Sequence, residues 1–312
     1  MEMRVIHRPG LKLFRAALTA TIAMAALQVP GHSQTASRRL YVSATNDSGA
    51  QVVDLNASEF ELREGGQKRD ISRVALAQRP MRVALLVDTS NSAVSVVQQI
   101  RGALRAFFDA IDPQHEIVLI TTGGMLRVRV PPTTDREKLK AESDRLFTDG
   151  ANVLLTAVVE SYNRFLRSGE FYPILAVITL GDLGSGTYPD NRQLDRLGKD
   201  IRANTGTVLG AILRLHRVAG AGGFDSGSSS EDHSLDVDIC HTLAKATDGS
   251  CMEIMTAAAL EDATKQLAGR INENYRSSPP AYEVEYGGVG KGGTPQVQVT
   301  RPGVHVEILS SR

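Results

Sequence analysis

The 312-residue chain has no tryptophan, only two cysteines and formal charges that cancel. Balanced charge removes the basic footprint of a nucleic-acid-binding protein. Setting aside residues 1–33, where Arg4, Arg8, Lys12 and Arg15 stand against Glu2, even leaves a slight acidic excess. No histidine spacing beside Cys240 and Cys251 fits a zinc site. The two cysteines leave two outcomes: one disulfide formed in an oxidising compartment, or two buried thiols. The apolar stretch Ala16 to Val29 is 14 residues long, below the roughly 17 to 25 that span a bilayer as a helix. It follows a basic stretch and precedes Pro30, Gly31 and Ser33, the layout of a secretory signal. Residues 1–33 therefore read as a signal peptide cleaved near Ser33, with an uncleaved anchor as the alternative. The mature chain is expected to be exported, periplasmic or secreted, with no membrane span.

With 42% apolar residues, the chain can bury one substantial core and a small second module. Residues 39–80 read as short strands and turns: Leu40 to Ala44, Gln51 to Val53, and Phe60 to Arg63 before Glu64-Gly65-Gly66. From Met81 the pattern changes to apolar strands alternating with amphipathic helices, which predicts a doubly wound, mostly parallel α/β sheet over 81–277. The predicted strands are Val83 to Val87, Glu116 to Thr121, Leu126 to Val130, Ile174 to Leu180, Thr207 to Leu213 and Cys251 to Ile254. Helices are predicted over Ala93 to Ile111, Arg136 to Phe147, Leu154 to Leu166, Asn191 to Ala203, Val237 to Ala246 and Leu260 to Tyr275. Gly220 to Ser234 has the composition of a surface loop. Residues 281–309 return to strand character, and the two terminal segments are expected to pack together as one small β module.

The stretch richest in chemistry is Asp88-Thr89-Ser90-Asn91-Ser92, at the carboxyl tip of the Val83 to Val87 strand. Ligands of open α/β sheets bind beyond the strand tips. A carboxylate and two hydroxyls spaced by two supply hard oxygens of the kind Mg²⁺ or Ca²⁺ prefers. The competing reading is a helix cap, because Ser90, Asn91 and Ser92 are all good N-cap types.

Three stretches carry a family resemblance: LLVDTSNS at 85–92, YVSATNDSGAQVVDLNASEFELREGGQ at 41–67, and YEVEYGGVGKGGTPQVQVTRPGVHVEIL at 282–309. Through them the chain resembles the von Willebrand factor A (VWA) domain family, and more closely its exported bacterial branch, over nearly the whole mature chain. The resemblance implies a Rossmann-like VWA fold and a metal-ion-dependent adhesion site, in which Mg²⁺, Mn²⁺ or Ca²⁺ is completed by an acidic group of a protein partner. Asp88, Ser90 and Ser92 match its first motif. The family's threonine corresponds to Asn152 in Gly150-Ala151-Asn152. The family's aspartate corresponds either to Leu180, if Thr179 is matched to the preceding threonine, or to Asp182, the position favoured here. The metal set expected from the resemblance is thus Asp88, Ser90, Ser92, Asn152 and Asp182. The implied function is a protein-binding or adhesion module, the alternative being an ion-independent structural or assembly scaffold of the cell envelope with a degenerate site.

No enzyme is expected. Ser90 stands where aspartyl phosphotransferases carry their second carboxylate, and the turn is not the G-x-S-x-G elbow of hydrolases. The seven histidines are scattered, and Gly290-Lys291 is followed by Gly292 and a hairpin rather than by Ser/Thr and a helix.

Overall fold

A computed structural model describes residues 36–167, 171–181, 191–214, 235–288 and 293–311. The expected signal peptide, Asp182, Phe224, His216, His233 and Gly290-Lys291 lie outside these residues. No helix among the described residues is long and apolar enough to cross a membrane.

In chain order the first elements are β1 (Ala36–Asn46), β2 (Phe60–Glu64), β3 (Gln67–Arg69) and β4 (Ile71–Ala77). Then come β5 (Met81–Val87), α1 (Val97–Ala110), β6 (Glu116–Thr121), β7 (Arg127–Thr133), α2 (Arg136–Ser143), α3 (Leu154–Ser161) and β8 (Tyr172–Leu180). The chain continues through α4 (Asn191–Ala203), β9 (Thr207–Leu213), α5 (Leu235–Ala246), β10 (Ser250–Ile254) and α6 (Leu260–Ser277). It closes with β11 (Ala281–Gly288), β12 (Pro295–Val299) and β13 (Val304–Ser311).

The central sheet runs β10-β9-β8-β5-β6-β7. Every neighbouring pair is parallel except β6 with β7. Its central strands are apolar on both faces because helices cover both; every residue of β8 is buried. One face packs Val83, Leu85 and Ile178 against Ile100, Leu104 and Phe107 of α1 and Leu267 and Ile271 of α6. The other packs Ala84, Leu86 and Val177 against Val158 of α3, Leu197 of α4 and Leu243 of α5. β7 carries Pro131 and Pro132, which an edge strand tolerates because a proline cannot donate to a ladder.

Three helices differ most from their predicted spans. The first begins as a tighter 3₁₀ turn over Asn91–Val96, and α1 starts only at Val97; the β-branched residues Val94, Val96 and Val97 weaken helix propensity there. α2 stops at Ser143 rather than Phe147, and Phe147 is left exposed. The helix predicted over Leu154 to Leu166 is α-helical only to Ser161 and continues as a π-helical turn over Tyr162–Leu166. The strand predicted over Gln51 to Val53 is reduced to an isolated bridge, Thr45 to Gln51.

The terminal segments form two small sheets, β13-β1-β11-β4 and β12-β2-β3. β1 pairs antiparallel with both β11 and β13, and β12 pairs with β2. Leu40, Val42, Phe60, Leu62, Tyr282, Val284 and Tyr286 make their shared core. Within it Glu64 is buried but ion-paired to Arg38 and Arg69, and the Tyr286 hydroxyl donates to it.

The cysteines form the disulfide Cys240–Cys251, tying α5 to β10. Its sulfurs lie against Gly210 of β9, where a Cβ would sit 2.3 Å from Cys240 Sγ.

Candidate functional site

Because β5 and β8 are parallel neighbours, their carboxyl ends bring Asp88 and Thr179 together beyond the sheet. The loops around Asp88 interlock through the backbone. Asn91 N–H donates to Gly150 O (2.8 Å), Asp149 N–H to Thr89 O (2.8 Å), Gly124 N–H to Ala151 O (2.7 Å) and Val153 N–H to Thr122 O (2.9 Å). This closeness depends on glycine. A Cβ on Gly123 would fall 2.2 Å from Thr89 O, and Gly150 adopts φ +54°, a conformation glycine takes at little cost.

Asp88 is 2% exposed. Its Oδ1 accepts from Ser90 N–H (2.8 Å); its Oδ2 accepts from Asn152 Nδ2 (2.9 Å), Leu180 N–H (3.2 Å) and the Thr179 hydroxyl (3.3 Å). Burial pushes its pKa above the ordinary carboxylate value, opposed by hydrogen bonds from Ser90, Leu180 and Thr179. All of these partners are neutral. Ser90 occupies the N-cap position of the Asn91–Val96 turn, yet its side chain makes no cap bond and turns to Asp88 instead. Ser92 lies in the first turn beyond it.

The structure therefore brings Asp88, Ser90 and Asn152 together, while Asp182 lies outside the described residues. Leu180 points into the core, 3% exposed, and offers the site only its backbone N–H. A second carboxylate arrives from α5, which begins two residues before its predicted start at Val237: Asp236, in the first turn of α5, is buried, and its Oδ2 accepts from Asn152 Nδ2 at 2.8 Å. The available signal was spacing. Asp236 precedes Cys240 by four and Leu243 by seven residues, so it is a carboxylate on the apolar face of a helix. Thr122 was also missed; its hydroxyl donates to Asn152 Oδ1 at 2.6 Å.

The cation implied by DxSxS requires oxygen atoms turned toward one point. Asp88, Ser90 and Asp236 have suitable oxygens, but Asn152 turns its amide nitrogen toward both carboxylates and gives its oxygen to Thr122. In this arrangement the described residues do not fit a divalent ion. Among the described residues no cluster of three or more His, Cys, Asp or Glu side chains could hold a metal.

The strand order, the single antiparallel edge strand and the Asp88 turn at the sheet's carboxyl edge make this a VWA-like α/β domain. No protein-family model matches the chain, and no curated protein matches it. Several solved structures are similar to it. The conserved hypothetical protein BatB from Bacteroides thetaiotaomicron is 17% identical, with 63% of this chain and 100% of that one covered and a TM-score of 0.47. A von Willebrand factor type A protein from Catenulispora acidiphila is 12% identical, with 89% and 74% covered and a TM-score of 0.48. The vWF domain of the type V pili tip protein Mfa5 from Porphyromonas gingivalis is 10% identical, with 66% and 99% covered and a TM-score of 0.49. All three scores lie below 0.5, so the fold assignment rests on strand order and site position.

Proposed function

We propose that the protein is an exported VWA-type binding module that meets a protein partner with the carboxyl edge of its central sheet. The observation that carries this reading is where exposed apolar bulk collects. Among the described residues six large apolar side chains are exposed, and four of them, Val94, Met125, Phe147 and Met255, belong to loops at this one edge. Val94 follows the DxSxS turn, Met125 joins β6 to β7, Phe147 precedes the Asn152 loop and Met255 follows β10. The guanidinium groups of Arg127 and Arg129 each lie 5.5 Å from the Phe147 ring centroid, holding it in place on the rim. Apolar residues gathered on one rim mark an interaction surface more than scattered ones do.

The form of contact supported by Asn152 is one without a bound ion, because its amide nitrogen faces the carboxylates. The signal-like residues 1–33 and the Cys240–Cys251 disulfide support export to an oxidising compartment. No catalysis is assigned, since the DxSxS turn lacks the partners of both phosphotransfer and acyl transfer.

A photo-crosslinking amino acid placed in turn at Val94, Phe147 and Met255 of the full chain, in its native host, tests the proposal. The expected result is the same crosslinked partner from all three positions and none from the exposed helix position Glu160. Rim positions that crosslink no better than Glu160 would overturn it.

A further inference from the structure

Asn152 stands between two buried carboxylates. Its Nδ2 lies 2.9 Å from Asp88 Oδ2 and 2.8 Å from Asp236 Oδ2, with Thr179 Oγ1 at 3.1 Å. An amide nitrogen has two hydrogens for these three acceptors, and the two carboxylates hold the shorter distances. The orientation is fixed by chemistry at the other end. The Thr122 hydroxyl, 2.6 Å from Oδ1, donates to the amide oxygen. Turning the amide over would set its oxygen against two carboxylate oxygens and leave both without that donor. In a site this buried, such a loss costs far more than it would at the surface.

At two positions where the VWA resemblance expects oxygen ligands, no side-chain oxygen faces Asp88. Asn152, at the threonine position, contributes N–H groups. Leu180, one candidate for the aspartate position, buries its side chain and contributes a backbone N–H 3.2 Å from Asp88 Oδ2. The amide at 152 supplies N–H groups where a cation would otherwise be held, and the leucine side chain at 180 brings no coordinating oxygen.

We propose that the Asn152 amide is a built-in neutral surrogate for the divalent cation. It bridges Asp88 and Asp236, closes the site to metal ions, and anchors the first turn of α5 to the tip of β5. An entering ion has to expel the amide and break three short contacts, whereas the resident amide already donates to both carboxylates. The anchored turn continues into Cys240, four residues on, where the disulfide fixes the same helix to β10. α5 is thereby pinned at two successive turns. This inference concerns the site itself and does not depend on the partner contact, which the crosslinking experiment tests separately.

The test is thermal unfolding of the full chain in EDTA and in millimolar Mg²⁺, Mn²⁺ or Ca²⁺, for the wild type, Asn152→Asp and Asp88→Ala. The wild type is expected to unfold at one temperature in all four conditions. Asn152→Asp, which places a third carboxylate where the amide was, is expected to melt lower in EDTA and to regain stability with a cation. Its cation affinity should exceed that of wild type by at least about tenfold, equivalent to 1.4 kcal/mol. A wild-type melting point that rises with a cation and no longer does so in Asp88→Ala would overturn the proposal, as would a folded Asn152→Asp that ignores every cation. If Asn152→Asp does not fold, side-chain amide NMR of the wild type decides. A slowly exchanging Asn152 NH₂ pair that Mn²⁺ leaves sharp supports the surrogate; a rapidly exchanging or Mn²⁺-broadened pair refutes it.

Discussion

Arg301 grips Glu59 through two parallel hydrogen bonds, Nε to Oε1 at 2.8 Å and Nη2 to Oε2 at 2.9 Å, joining residues 242 positions apart in the chain. The fork geometry of a guanidinium on a carboxylate gives both strength and orientation. Arg301 also reaches Asp54 Oδ1 at 2.7 Å, so the Arg-Pro-Gly turn before β13 is fastened to the segment leading into β2.

This pair makes the terminal module sensitive to acid. The hydrogen bonds of Arg301, followed by the Asn56 backbone N–H, hold the Glu59 pKa down at about 2 against an ordinary 4.5. A depressed carboxylate contributes stability that is fully present above its unfolded value and lost as pH falls through the folded one. The contribution should therefore fade between about pH 4.5 and 2. Glu59→Gln should flatten that part of the pH dependence; an unchanged acid profile in hydrogen exchange of β12 and β13 would count against it.

His115 acts at higher pH. It is fully buried, both ring nitrogens lack hydrogen-bond partners, and its ring meets the Tyr275 ring edge-on at 4.8 Å. Burial, aided by Arg136 and opposed by Asp112, lowers its pKa from 6.5 to about 4. The unfolded chain takes up the proton first, so stability is complete above pH 6.5 and drains away toward pH 4, by about 3 kcal/mol in the limit. His115→Leu should narrow the difference between urea unfolding at pH 7 and pH 4 by a comparable amount. An undiminished difference would show that other groups carry the acid sensitivity.

Two glycines should respond in opposite ways to alanine. At Gly123 a Cβ would lie 2.2 Å from Thr89 O and 2.6 Å from Asp149 O, so Gly123→Ala must force apart the loops that frame Asp88. The expected cost is about 1–3 kcal/mol or more. At Gly102, inside α1, a Cβ would meet nothing within 4 Å. Gly102→Ala should stabilise by about 0.5–1 kcal/mol through helix propensity. Chemical denaturation of both variants checks the contrast.

The disulfide closes a short loop, with Cys240 and Cys251 separated by 11 positions. Replacing both by serine should cost about 3 kcal/mol on the loop-entropy model, and Gly210→Ala, which drives a methyl group into the two sulfurs, should erode the same stabilisation. The double serine variant unfolding at the wild-type denaturant midpoint would refute the estimate.

The central sheet is legible in the sequence because its strands are continuous apolar runs, covered on both faces. The spans Glu116 to Thr121 and Thr207 to Leu213 coincide with β6 and β9, two apolar runs inside the sheet. β4 was not read as a strand. Its residues alternate only weakly, and its partner β11 lies about 200 positions away, as in the pairing of Leu76 with Tyr282. The same distance hid part of the site. The Asp88 turn is contiguous and announces itself, whereas Asp236 acquires meaning only when α5 folds back and sets it beside Asn152. Nor could sequence tell which end of the Asn152 amide faces inward, because that depends on a hydroxyl from Thr122, thirty residues earlier.

The arrangement of the terminal strands governs how the molecule bears tension. The chain leaves the β module after Ala77 and re-enters it at Ala281, and these two residues are paired with each other in the β4–β11 ladder. Leu40, near the start of β1, is likewise paired with Ser311, at the end of β13. A pull applied across residues 36 and 311 therefore loads the β1–β13 ladder end-on and peels its hydrogen bonds one pair after another. The α/β domain hangs from the module as a side loop, outside the line of force until that ladder has opened. It keeps its strand-tip rim intact while the ends are under load.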